Sequence, residues 1–132
     1  YYTEEPVWAV EDKKTKCLVG YIRVINYSKK NKKCHLTWAV AHKYWDSNFM
    51  KDALIQIMNF LFTKKGIELI VSSYYEQNMI SSIILEGIGM KKEAVLRDRR
   101  INEKTNEKEN FVIYSISKQE FFQSYTKVKK IL

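Results

Sequence analysis

The sequence predicts an α+β protein built on one mixed, mostly antiparallel sheet. Two observations indicate this class. Apolar residues alternate along parts of the first forty residues, which is the two-residue period of strands. After residue 48 they recur at the three- and four-residue spacing of helices. The resulting order is β-β-β-α-β-α-β-β, and 132 residues are enough for a single domain over residues 1–132.

The first three strands are predicted to form an antiparallel meander. Residues 7–10 alternate weakly and end at a charged turn. Residues 17–25 are rich in β-branched and aromatic side chains, which is typical of strands. Residues 35–40 alternate clearly, so His35 and Thr37 share one face opposite an apolar face.

A long amphipathic helix follows the meander. Its apolar stripe consists of Met50, Ala53, Leu54, Ile57, Met58 and Leu61. Asp46, Ser47 or Asn48 is expected to cap the start of this helix through its side chain. Gly66 is expected to follow its end.

The second half of the chain predicts a β-α-β unit and a hairpin. Residues 67–74 are nearly all apolar, which predicts a central strand buried on both faces. Apolar residues within 80–88 have helical spacing, and Gly87 or Gly89 is expected to end this helix. Residues 91–101 and 111–116 predict two strands joined by a polar loop, and residues 118–128 a short tail helix.

Charge and composition narrow the function classes. The net charge of +8 would attract polyanions, although a lysine-rich, solvated surface explains it equally well. The lysines lie in scattered pairs, which argues against a nucleic-acid-binding helix, so we expect no nucleic-acid partner. No apolar run in the sequence is long enough to cross a bilayer. Residues 1–20 lack a basic segment followed by an apolar one, so we expect no secretory signal.

The two cysteines do not indicate a metal site. Cys17 and Cys34 lack zinc-ligand spacing, and no Cys/His cluster exists. We expect both thiols to be reduced, which is typical of a cytoplasmic protein.

A polar-to-glycine stretch after the central strand carries the most specific pattern. It reads Asn-x-x-Ser, then Leu-Glu, then Gly and a large apolar residue. The residues are Asn78, Ser81, Leu85, Glu86, Gly89 and Met90. Two further motifs are Tyr44-Trp45 ahead of the long helix, and Tyr114-Ser115-Ile116 followed by Glu120-Phe121.

These motifs and the element order resemble the GNAT superfamily of N-acetyltransferases over residues 7–121. Within it, the chain is most similar to the branch that includes the ribosomal-protein alanine acetyltransferases. The resemblance implies an α/β/α sandwich and an acetyl-CoA-dependent transfer of acetyl to a primary amine. The family's first strand and helices have no counterpart before Val7. An exposed sheet edge there would favour a homodimer.

The resemblance implies that the N-terminus of the predicted helix over residues 80–88 lies beside the pantetheine arm and the thioester of acetyl-CoA. Asn78 would contact the arm, and the Ser81 hydroxyl would lie near the sulfur. The residues alone also allow a simpler interpretation, in which Asn78 only caps its helix and Ser81 is an ordinary first-turn residue. The two interpretations are compatible.

The family's pyrophosphate loop corresponds to residues 43–50. Lys43 stands where the family has Arg or Gln and keeps a suitable charge. Asp46 and Asn48 stand where glycines allow close approach to phosphate, so Asp46 would bring a carboxylate near the pyrophosphate. The residues expected to contact acetyl-CoA are Ala39, Val40, Ala41, Lys43, Asp46, Ser47, Asn48, Phe49, Met50, Asn78 and Ser81.

Catalysis needs a base, because only a neutral amine attacks a thioester. His35 matches the family position that often carries a glutamate base, and histidine titrates in a suitable range. The alternative interpretation is that His35 is a half-exposed strand residue with no catalytic role. Ser81 is the acid candidate, with Tyr74 and Tyr75 as substitutes. A degenerate GNAT-fold protein that binds a CoA-like ligand or a protein partner without turnover remains the competing function.

Overall fold

The computed structural model describes the backbone of residues 5–131 and the side chains of residues 5–125. The strands and helices are β1 (Val7–Glu11), β2 (Leu18–Ser28), β3 (Lys33–Val40), α1 (Phe49–Lys64), β4 (Leu69–Tyr75), α2 (Met79–Gly87), β5 (Lys91–Ile101), β6 (Lys108–Ser117) and α3 (Lys118–Ile131). The predicted element order is confirmed, and a 3₁₀ turn at His42–Tyr44 precedes α1.

The described strands form one six-stranded sheet in the order β1-β2-β3-β4-β6-β5. Within this sheet β3 and β4 are parallel, and every other neighbouring pair is antiparallel. The parallel pair follows from the α1 crossover, because a short turn cannot connect parallel neighbours. The predicted mixed, mostly antiparallel sheet is confirmed.

The core lies between one face of the sheet and the three helices. Leu54 and Met58 of α1, Leu85 of α2 and Phe121 of α3 belong to one buried cluster with residues such as Ile70 of β4. The α+β class is therefore confirmed. The described residues form no helix on the opposite face, so they do not show the second helical layer of the expected α/β/α sandwich. No helix in the described part is long and apolar enough to cross a membrane.

Two details differ from the sequence-based expectation. The strand β4 buries Ile70 and Ser72 on the helix side, whereas Val71, Ser73 and Tyr75 are only half-buried. The expectation that both faces would be buried is wrong because no described element covers the second face. Its alternate residues are therefore left partly open to solvent.

The start of α1 is the second difference. Asn48 occupies the N-cap position, but its side chain accepts no capping hydrogen bond. Ser47 donates its hydroxyl to the Tyr44 carbonyl at 2.7 Å instead. The predicted side-chain cap is absent, so the first backbone N–H groups of α1 keep no intrahelical partner.

Glycine sets the spacing of the two strands that lead to the site. A Cβ atom on Gly20 of β2 would lie 2.0 Å from the Ala39 carbonyl oxygen of β3. A larger residue would push β3 away, because this neighbour is a backbone atom rather than the flexible tip of a side chain. Gly66 and Gly89, with φ of +68° and +91°, follow α1 and α2 as expected of helix-ending glycines.

Candidate active site

The strands β3 and β4 pair at one end and separate at the other. Their parallel pairing joins only Lys33 with Leu69, Cys34 with Ile70 and His35 with Val71. The Ser72 hydroxyl then donates to the Leu36 carbonyl at 2.8 Å, at the point where the strand ladder stops. Beyond it each strand continues without pairing to the other, which leaves a slit in the middle of the sheet.

The slit is a cavity of about 220 Å³. Its lining residues are Thr37, Trp38, Ser72, Ser73, Tyr74, Tyr75, Asn78, Ser81 and Arg100. Because side chains alternate along a strand, Trp38 and Tyr74 belong to the helix-covered face, whereas Thr37 and Tyr75 belong to the open face. The slit therefore connects the two faces of the sheet.

Backbone groups of β3 line one wall of the slit. The Leu36 carbonyl points toward β4, so alternation directs the N–H and C=O groups of Trp38 to the same side. The Val40 carbonyl accepts the Trp45 indole N–H at 3.0 Å. Ala39 is paired with Tyr21 of β2, and the Ala41 N–H donates to the Val19 carbonyl. Of this segment, Trp38 offers the peptide group that has no strand partner among the described residues, and no sequence motif indicated it.

Thr37 carries a polar atom with no partner. Its hydroxyl is buried and makes no hydrogen bond to any residue that the structure describes. A buried hydroxyl without a partner costs folding free energy. This residue lines the slit, and its hydroxyl oxygen is buried beside it.

His35 lies at the closed end of the slit. Its Nε2 is 3.0 Å from the Ser73 hydroxyl oxygen, and Ser73 lines the slit while His35 does not. Burial lowers the pKa of the imidazole below its usual 6.5. The ring is therefore neutral near pH 7 and able to accept a proton that arrives through Ser73.

The N-terminus of α2 faces the slit from the helix-covered side of the sheet. Asn78 caps the helix, because its side-chain oxygen accepts the Ser81 N–H at 3.3 Å. Both residues also line the slit. The Ser81 hydroxyl makes no hydrogen bond within the part of the chain that the structure describes. The capping interpretation is confirmed, and the same residues stand where a ligand in the slit would meet them.

The two tyrosines at the end of β4 have different surroundings. Tyr74 packs beside Tyr114, with ring centroids 5.9 Å apart. Burial and a 2.8 Å hydrogen bond to Glu86 raise the pKa of Tyr114, which keeps that phenol protonated. Tyr75 packs against Phe111 and lies beneath Arg100.

The loop before α1 is held in place by aromatic contacts. The buried Tyr44 donates its hydroxyl to Asp12 at 3.2 Å, and the Trp45 ring packs on His42 at 4.4 Å. The Lys43 ammonium lies 5.5 Å from the Tyr44 ring centroid. These contacts explain why an aromatic pair stands here.

The loop does not use the backbone conformation that glycine provides. Asn48 has φ of −94°, and Asp46 is not among the residues with positive φ. Residues 49–51 make no backbone N–H hydrogen bond to a described residue, since the first bond of the helix runs from Asp52 to Asn48. Phe49 is exposed, whereas the Met50 side chain is buried in the core and offers only its backbone.

Arg100 lies at the open-face end of the slit, and no sequence motif indicated it. Its guanidinium carbon lies 3.7 Å from the centroid of the Tyr75 ring. Its Nε donates to Glu109 at 2.5 Å, and the Glu109 side chain is only 1% exposed. Arg100 reaches the slit through a bulge in β5 between Leu96 and itself, which periodicity does not predict.

The described residues contain no group of three or more side chains that could hold a metal ion. Cys17 and Cys34 are both free thiols, and burial raises the pKa of Cys34 to about 12. Cys34 is therefore a protonated core residue.

Residues 1–91 match the family described as the Acetyltransferase (GNAT) domain. The chain belongs to the GNAT family. It is 25% identical over 111 residues to "Uncharacterized N-acetyltransferase YoaA" of Bacillus subtilis (strain 168), covering 84% of this chain and 62% of that protein. The chain thus spans less than two thirds of this relative's length.

Solved structures show the same fold. A GNAT-family acetyltransferase from Bacillus anthracis superposes with a TM-score of 0.73 at 21% identity, covering 86% of this chain and 66% of that one. A spermidine N-acetyltransferase SpeG mutant from Vibrio cholerae gives 0.79 at 16% identity, covering 92% and 70%. The fold expected from the sequence motifs is confirmed, whereas neither comparison distinguishes a branch of the family.

Proposed function

We propose that this protein transfers an acetyl group from acetyl-CoA to a primary amine. The observation that carries the proposal is the slit between β3 and β4. It combines a peptide group without a strand partner at Trp38 with a buried, unpartnered hydroxyl at Thr37. Such an arrangement fits a narrow ligand that carries amide groups, as the pantetheine arm of acetyl-CoA does.

The ends of two helices complete the proposed cofactor site. Asn78 and Ser81 at the mouth of α2 would lie beside the thioester end of the arm. The start of α1 presents backbone N–H groups without partners, together with the partial positive charge of a helix N-terminus. These groups suit a pyrophosphate, and Lys43 adds a positive charge to the same loop.

The proposed chemistry moves one acetyl group and one proton. Acetyl-CoA supplies a thioester, whose acyl carbon forms a C–N bond with the amine as its C–S bond breaks. The amine proton would pass through the Ser73 hydroxyl to Nε2 of His35. The Ser81 hydroxyl, at the positive end of α2, would donate a hydrogen bond to the departing thiolate and keep its proton. His35 then releases the amine proton to solvent, and the thiolate takes up a proton from solvent.

The proposed transfer allows more than one class of acceptor amine. The sequence resemblance to ribosomal-protein alanine acetyltransferases keeps protein N-termini among the candidates. The shared fold with a spermidine N-acetyltransferase adds small amines. A degenerate protein that binds a CoA-like ligand without turnover is the competing function, and Asp46 in the loop is the observation that favours it.

Thermal unfolding with acetyl-CoA, followed by a thiol-release assay, tests the proposal. A ligand that binds the folded state raises the unfolding midpoint by mass action. We expect a rise with acetyl-CoA that exceeds the rise with equimolar ATP, and release of CoA thiol when a mixed amine panel is added. Equal rises with both ligands would refute a specific site. A specific rise without thiol release from any amine would instead favour the degenerate protein.

A further inference from the structure

Arg100 is the one charged side chain among the described residues that line the slit. It pairs with Glu109 in the β5–β6 register, and its ring partner Tyr75 shares the open face with Ser73. Asn78 and Ser81 enter the slit from the opposite, helix-covered side. Arg100 therefore stands on the side from which an acceptor would reach Ser73 and His35.

The side chain of Arg100 is held in one orientation. The Tyr75 ring supports the guanidinium plane, and the buried Glu109 carboxylate fixes its Nε. Only this nitrogen is used, since the two terminal nitrogens make no hydrogen bond to a described residue. The side chain remains 48% exposed. The four N–H groups on the two terminal nitrogens are therefore available to a ligand at the slit.

We propose that Arg100 binds a carboxylate on the acceptor, so that the acetylated amine belongs to a small amino-acid-like molecule. The planar guanidinium fork matches the two oxygens of a carboxylate, and its fixed orientation lowers the entropic cost of binding. Glu109 balances the charge of Arg100, so recognition depends on directed hydrogen bonds rather than on a surplus of positive charge. This inference rests on the proposed acetyl transfer.

The test compares acceptors that differ only in this group. Glycine, β-alanine and 4-aminobutyrate are each assayed beside their carboxamides, with acetyl-CoA, by thiol release and mass detection of the acetylated product. The three lengths sample the unknown spacing between amine and carboxylate. We expect kcat/KM for at least one carboxylate to exceed that of its amide by about tenfold or more, as expected for a charged hydrogen bond.

Variants assign the preference to Arg100. Replacing Arg100 alone would leave the buried Glu109 carboxylate without its partner, so Arg100→Gln is combined with Glu109→Gln. We expect this pair to lower the carboxylate-to-amide ratio about tenfold or more. Arg100→Lys keeps the charge but loses the planar fork, so its ratio should fall by less. Arg99→Gln removes the same charge from a neighbouring residue outside the slit lining, and its ratio should match the wild type.

Binding of the acetylated products gives a readout that does not need turnover. Ligand-detected NMR compares N-acetyl-β-alanine with N-acetyl-β-alaninamide, and the other two pairs likewise, on wild type and on the double variant. Stronger wild-type binding of the carboxylate, lost in the double variant, supports the inference. Equal binding of acid and amide, or equal loss of both in the variant, overturns it. If acetyl-CoA does not raise the unfolding midpoint, that result counts against the proposed acetyl transfer. The binding comparison of acetylated acids and amides then still tests whether Arg100 binds a carboxylate.

Discussion

Thr37→Val should make the free protein more stable and its acetyl-CoA complex weaker. The Thr37 hydroxyl is buried without a partner, whereas valine has nearly the same shape and no polar atom. Removing a buried, unpaired hydroxyl relieves about 1 kcal/mol or more of desolvation cost. For a chain of this length, about 1 kcal/mol corresponds to a rise in Tm of about 3–5 °C.

The ligand should respond in the opposite direction. A hydrogen bond from a neutral hydroxyl contributes about 0.5–1.5 kcal/mol, so Thr37→Val should raise the Kd for acetyl-CoA about two- to tenfold. Calorimetric unfolding of the free protein and titration calorimetry with acetyl-CoA measure the two effects. Thr63→Val is a matched control, because the Thr63 hydroxyl donates to Asn59 on the exposed surface of α1. Its effect on both quantities should be small.

Two results would refute the reasoning about Thr37. A Tm that stays constant or falls would mean that the hydroxyl already has a partner, such as a trapped water. An unchanged Kd would mean that the hydroxyl does not face the ligand. The two outcomes are independent, because one is measured without acetyl-CoA and the other with it.

Three further predictions concern charge. His35→Gln should lower kcat about 100-fold and abolish the fall in kcat at acid pH. In the wild type the midpoint of that fall should lie below pH 6.5, because burial lowers the pKa of His35. A variant that keeps the fall would exclude this role. Asp46→Gly should tighten acetyl-CoA binding about two- to fivefold at low salt, by titration calorimetry, and less at high salt. An effect independent of salt would point to size rather than charge. Lys91 and the Ser117 N–H lower the pKa of Glu120 from 4.5 to about 2, so their stabilisation is complete above pH 4.5 and is lost as the pH falls toward 2. Because the Glu120 side chain is one third exposed, Glu120→Gln should cost only about 1 kcal/mol in urea unfolding at pH 7, and progressively less as the pH falls through 2.

Periodicity was sufficient to predict the elements and much of the core. The stripe of α1 is buried at Leu54, Met58 and Leu61, because a 3.6-residue repeat places these side chains on one face whatever the neighbours are. The alternation of β3 likewise predicted that His35 and Thr37 share a face. The apolar stripe of α1 and the shared face of His35 and Thr37 both follow from the period of a single helix or strand, so the sequence alone is enough to predict them.

The slit itself was not predictable in this way. It depends on where the β3–β4 ladder stops, and that point is marked by the Ser72 hydroxyl on the Leu36 carbonyl, a contact between residues far apart in the chain. Arg100 depends in addition on a bulge in β5 and on a ring from β4. Motif spacing indicated Asn78 and Ser81 because both lie within one turn of one helix. Trp38, Ser73 and Arg100 converge only through sheet register.

The backbone conformation of the pyrophosphate loop shows how much the missing glycines at Asp46 and Asn48 matter for phosphate binding. Glycine serves such loops by adopting positive φ and by allowing close approach. Asn48 has φ of −94° and leaves its capping bond unmade, so neither a special conformation nor a competing side chain occupies the helix start. The remaining obstacles are the size of the side chains and the charge of Asp46. A single carboxylate in a solvent-exposed loop weakens phosphate binding modestly, since water and salt screen it. The case for a protein without turnover therefore rests on a small electrostatic penalty, whereas the slit and the His35–Ser73 pair favour a working acetyltransferase.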